Sequence, residues 1–130
     1  MHTNITLTNN DFTNLLDESA FMTRDYYKLR INFRDLRNLN TVQEIKDGET
    51  KFRQNVESLE KHNKIYSEAI TNAKGKALYD DYYNMLAQWK DAVLYCFILR
   101  EGNKEQEFKE LFDPLFLLEM LLLKTNYNIL

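Results

Sequence analysis

The sequence predicts an all-α protein, an antiparallel bundle of about four helices with coiled-coil-like packing. Three observations carry this. Apolar residues recur at alternating spacings of three and four over most of the 130 residues, the signature of helices with one buried face. Only three Gly and one Pro are present, too few for the turns of an all-β fold. Hydrophobic residues make up 44% and aromatics 13%, enough for a packed core and against wholesale disorder. The length suits one domain, residues 1–130.

The stretch Lys76–Glu101 reads as the central helix. Leu78, Tyr82, Met85, Trp89, Ala92, Cys96 and Leu99 form its seam. Tyr79, Leu86, Val93 and Phe97 widen that seam, so more than one neighbour must cover this helix.

In chain order, residues 1–9 read as a flexible arm. Asn10 is placed to cap a first helix over about 11–39, with Phe12, Leu15, Ser19, Met22, Tyr26, Leu29, Phe33 and Leu36 as its inner face. Thr41 and Glu44 have capping-box spacing. They open a second long helix, 41–73, whose seam keeps phase across Gly48. Lys74-Gly75 reads as the turn into the central helix. Gly102 ends that helix, and Asn103 with Gln106 repeats the capping-box spacing. A last helix starts at Lys104, and Asp113-Pro114 is expected to break it and restart it at a new angle. Residues 125–130 read as a short tail.

Several functions are disfavoured. There is no Cys-x-x-Cys, no Glu-x-x-His and no His pair at helical spacing, so no metal is expected. No Gly-rich phosphate loop or Gly-x-Ser-x-Gly occurs. Cys96, the only cysteine, falls on a seam where a thiolate is disfavoured. The chain is therefore expected to be no enzyme and to need no cofactor or small-molecule substrate. MHTNITLTNN lacks a basic start and an apolar run, so no signal peptide is expected. Together with the lone cysteine this favours a cytoplasmic setting. Leu115–Leu123 is too short to span a bilayer and carries Glu119, so no membrane partner is expected. The fourteen Asn residues, with many Lys and Tyr, suggest an AT-rich genome such as that of a phage or mobile element.

Two features point to partners. The run Leu115, Phe116, Leu117, Leu118, Met120, Leu121, Leu122 and Leu123 leaves Glu119 as its sole polar residue. A helix apolar all round must be covered all round, so residues 115–123, with Leu115–Leu118 and Met120–Leu122 as the contact set, are expected to be sealed by a second subunit or another protein, unless helix 1 bends over them and closes the core within one chain. The second feature is a basic stripe. Arg30, Arg34 and Arg37 stand at i, i+4 and i+7, with Arg24, Tyr27 and Lys28 nearby. It offers a partner or nucleic-acid face, unless Glu57, Glu60 or Asp80 of a neighbouring helix neutralises it. Tyr27 and Tyr83 fall off the seams as candidate contact anchors. The expected function is thus a non-enzymatic helical interaction module, a dimeric or partner-bound inhibitor or adaptor. A nucleic-acid-associated protein is the alternative.

Overall fold

A computed structural model describes residues 9–129, and the side chains of residues 15–126. The expected arm therefore lies almost wholly outside the described residues. The chain forms α1 (Asn9–Asp35), α2 (Val42–Ala69), α3 (Ala73–Glu101) and α4 (Glu105–Ile129), with one 3-10 turn at Leu36–Asn38. Among the described residues there is no strand. α1 packs along α2, α2 along α3, and α3 along α4. Aromatic contacts between α1 and α4 close the bundle: Phe33 lies 4.7 Å from Phe112 and 4.9 Å from Phe116, ring centre to ring centre.

The central helix is covered as its widened seam requires. Tyr79, Tyr82, Leu86, Trp89, Val93, Cys96, Phe97 and Leu99 are all buried. Trp89 sits where α1, α2 and α3 meet, with Tyr26, Phe33 and Phe52 at 5.7, 5.7 and 5.9 Å. Asn63, a polar residue on a seam, is buried between α2 and α3. Its side-chain oxygen accepts the Tyr82 hydroxyl at 2.9 Å, and its carbonyl accepts the Tyr79 hydroxyl at 3.2 Å. Three polar pairs fix α1 against α2: Glu18 with His62, Asp25 with Ser58 and Asn32 with Asn55. Such pairs penalise a slipped register, because each shift strands a buried polar group.

The chain reversals differ in detail from expectation. α1 already includes Asn10, so that residue is not its cap. Thr41 does cap α2, and its capping box with Glu44 is complete. α2 ends at Ala69, and the turn falls at Ile70–Asn72 rather than at Lys74-Gly75. Asn72 caps α3 by accepting the Gly75 N–H at 2.6 Å. After α3, Asn103 takes the left-handed conformation (φ 58°). Lys104 N–H bonds to Leu99 and Asn103 N–H to Arg100, the paired bonds of a Schellman ending. Asn103 thus finishes α3 instead of capping α4. Arg100 ties this corner to the α1–α2 turn, its guanidinium donating to the carbonyls of Leu36 and Leu39.

Pro114 does not break the last helix. α4 runs through it without interruption and continues to Ile129, so the expected tail is helical as far as that residue. Phe108, Phe112, Leu115, Glu119, Leu122 and Asn126 keep an unbroken four-three alternation, and all six are buried. Burying that seam outweighs the cost of about 3 kcal/mol for an interior proline. Pro114 itself is exposed, so the carbonyl it leaves without a donor has water nearby.

Gly48 lies within α2, close against Leu39 and Phe97. A Cβ there would stand 2.9 Å from Leu39 Cδ1 and 3.3 Å from Phe97 Cε1. Gly48→Ala should therefore fail to deliver the usual gain of about 1 kcal/mol in helix propensity. We expect little net change, below about 0.5 kcal/mol in urea unfolding, since shifting the half-buried Leu39 side chain and the Phe97 ring offsets the gain.

Buried acids make the fold alkali-sensitive. Burial pushes the Cys96 thiol up to about 12, and burial likewise lifts the Tyr79 phenol to about 12. Burial raises Tyr26 and Tyr82 as well. The unfolded chain ionises these groups near their ordinary values, whereas the folded chain holds the protons. The stability they confer is complete below about pH 9 and fades as pH climbs toward about 12. Urea midpoints measured at successive pH values should fall through that window.

Candidate protein–protein interface

α4 carries apolar side chains on both its buried and its exposed face. Its inner face carries Phe108, Phe112, Leu115 and Leu122, buried against the rest of the chain. Leu111, Phe116, Leu118 and Leu123 are half-buried flanks packed on that core. The outer face carries Leu117, Met120 and Leu121, at 68%, 53% and 48% exposure. Their spacing of three and four puts them on one stripe of the helix surface.

This divides the seven residues expected to need an outside partner. Leu115 and Leu122 are corrected: the chain's own core seals them. Phe116 and Leu118 are partly sealed, Phe116 by Phe33 and Phe112 at 4.9 and 5.0 Å. Leu117, Met120 and Leu121 remain open to solvent. The helix looked apolar all round because its inner and outer faces are both greasy and only Glu119 separates them in sequence.

Glu119 is fully buried and faces α1. Arg30 Nε donates to its Oε1 at 2.6 Å, and Arg34 Nη2 donates to the same oxygen at 3.2 Å. The Tyr26 hydroxyl donates to its backbone carbonyl at 3.0 Å. Arg30 and Arg34 are therefore engaged with α4, while Arg37 stays exposed. The partner of the engaged pair is neither Glu57, Glu60 nor Asp80; Glu60 instead accepts Lys90 at 3.3 Å. The guanidiniums of Arg34 and Arg37 also lie 5.6 and 5.8 Å from the Phe116 ring centre, within cation–π range. Arg24 pairs with Asp25 at 3.1 Å. Two of the three stripe arginines thus already hold a carboxylate, while Arg37, Arg24 and Lys28 stay exposed.

Sequence reasoning passed over this triad, although a signal was present. A lone acid in a leucine-rich helix needs a cationic partner if it points inward. Glu119 occupies an inner slot of the four-three series, and Arg30 and Arg34 stand one helical turn apart.

Other apolar side chains are exposed as well, Tyr95 and Ile98 of α3 at 50% and 51%. Tyr27 and Ile31 are exposed on the outer side of α1, and Tyr83 is exposed on α3, stacked on Tyr79 at 5.9 Å. Lys28 is exposed. A groove of about 550 Å³ between α2 and α3 is lined by Glu57, Glu60, Lys61, Lys64, Ser67, Tyr79 and Tyr83. It holds no nucleophile paired with a base. Among the described residues no three His, Cys, Asp or Glu side chains are grouped as metal ligands, and no helix is long and apolar enough to cross a membrane. No protein-family model, curated protein or solved structure matches the chain.

Proposed function

We propose that this protein is a non-enzymatic helical interaction module, an inhibitor or adaptor whose working surface is the outer face of α4. One observation carries the reading: Leu117, Met120 and Leu121 are exposed together on a helix whose inner face is already fully used. Exposed apolar side chains occurring singly need no explanation, but a contiguous stripe on one rigid element is the usual mark of a protein-binding site. The alternative of nucleic-acid binding is the less favoured reading, because Arg30 and Arg34 already pair with Glu119. A cytoplasmic setting fits the free, buried Cys96, and the asparagine-rich composition fits a phage or mobile-element origin.

The test compares the wild-type chain with Leu117→Gln/Met120→Gln/Leu121→Gln, a change confined to exposed positions with good helix formers. Far-UV circular dichroism and thermal melting should be unchanged within small error. Each chain is then immobilised through its N-terminus and challenged with host proteins and with the free chain itself. Retention by the wild type that the variant loses is expected. Equal behaviour of the two chains would overturn the assignment of this face.

A further inference from the structure

The outer stripe of α4 has a charge pattern that selects its occupant. Reading along it, Glu110 and Asp113 come first, then Leu117, Met120 and Leu121, then Lys124, and all six are exposed. Glu110, Asp113, Leu117, Met120 and Lys124 alternate spacings of three and four, with Leu121 beside Met120, so the stripe is a second seam, on the side of the helix away from the core. The acidic end, the apolar centre and the basic end are spaced almost evenly about residue 119. Neither Asp113 nor Lys124 has an ion-pair partner among the described residues.

From this we infer that the occupant of the face is a second copy of the same chain, lying antiparallel across a two-fold axis near residue 119. The inference rests on the reading of α4 as the binding face. In that arrangement residue i of one helix opposes a residue near 238 − i of the other. Leu117 then meets Leu121 of its mate, and Lys124 meets Asp113, with Glu110 a turn away. Each contact occurs twice, as an isologous interface demands. A parallel pairing would set Lys124 against Lys124 and Asp113 against Asp113. Like charges facing across a seam oppose association, so the pattern disfavours that alternative. The stripe is about 21 Å long at 1.5 Å per residue, which suits a modest, reversible dimer of the smaller interface class.

The experiment is sedimentation equilibrium on the full chain up to roughly 500 µM, a range suited to a small interface, with two charge variants and their mixture. Asp113→Lys and Lys124→Glu each place like charges together, and each alone should weaken the dimer about tenfold. Mixing the two variants one to one should restore it. The heterodimer then contains one reversed pair, Lys at 113 against Glu at 124, and one original pair. Both substitutions are at exposed sites, and circular dichroism checks that the fold is kept. Orientation is read separately by disulfide trapping, with Cys96 buried and inert. Leu117→Cys mixed with Leu121→Cys should give a cross-linked heterodimer, while Leu117→Cys alone should cross-link poorly. A wild-type chain that stays monomeric throughout the range overturns the proposal. If such a monomer still retains another protein that the triple-Gln variant does not, the face assignment stands and only the self-association fails. Efficient self-cross-linking of Leu117→Cys, or no recovery on mixing, also overturns it.

Discussion

Trp89→Ala should lower the unfolding free energy by about 3–5 kcal/mol, the range for removing a large aromatic from a packed core. Trp89 has no exposed surface and is the largest side chain at the junction of three helices. Phe52 links it onward to Phe97 at 5.9 Å, and Phe33 links it to Phe112 on α4. Truncation would leave a cavity between rigid rings that cannot easily collapse. Trp89→Phe makes the sharper comparison. The indole N–H is buried without a hydrogen-bond partner, so replacing it forfeits no bond, and part of the lost packing is offset by removing an unsatisfied donor. We expect Trp89→Phe to cost about 1.5 kcal/mol or less. Urea unfolding followed by circular dichroism checks both. A loss for Trp89→Ala below about 0.5 kcal/mol, the level of an ordinary surface change, would mean that the core is organised elsewhere.

The centrality of Trp89 was legible in the sequence because it depends only on period. Residues at four-three spacing share a face, and a widened seam must have several neighbours. The same logic applied to α4 would have shown that the helix continues through Pro114, since Phe112, Leu115 and Glu119 keep phase across it. The local signal of Asp113-Pro114 pointed the other way and was outweighed by burial on both sides. The turns were less legible. Gly75 looked like a left-handed stop, yet its role is close approach: a Cβ would meet Ile70 Cγ2 at 2.9 Å and Asn72 Oδ1 at 3.1 Å. Arg100, which joins two corners of the bundle, gives no sign in the sequence, because its acceptors are backbone carbonyls more than sixty residues away. The candidate site was half legible. Composition shows that residues 115–122 need cover, but only the rotation of α4 in the bundle shows that Leu115 and Leu122 receive it from the same chain while Leu117 and Leu121 do not.

Removing both guanidiniums that hold Glu119, as Arg30→Met/Arg34→Met, should destabilise the fold by about 3–5 kcal/mol, the cost of leaving a buried charge without its partners. The two arginines do not contribute equally. Arg30 is 20% exposed and approaches to 2.6 Å, whereas Arg34 is 47% exposed and sits at 3.2 Å, where solvent screening reduces its share. Arg30→Met alone should therefore account for most of the loss. Reversing the order of removal separates charge from packing. Glu119→Met leaves the arginines with a route to water past the edge of α4, so its cost should be well below that of the arginine pair. The triple variant, Glu119→Met with both arginine changes, replaces the ionic set by apolar side chains of similar length. It should recover most of the stability, as apolar replacements of buried ion pairs often do. Urea midpoints of the four chains decide the matter. If the triple variant is as weak as the double, the arginines act chiefly through their stems and through their stacking on Tyr26 and Phe116, and the ion pair adds little. If it recovers, Glu119 stabilises the bundle no better than an apolar residue would. Its value then lies in pairing: only one rotation of α4 brings the carboxylate to Arg30, and that rotation is the one that turns Leu117, Met120 and Leu121 outward.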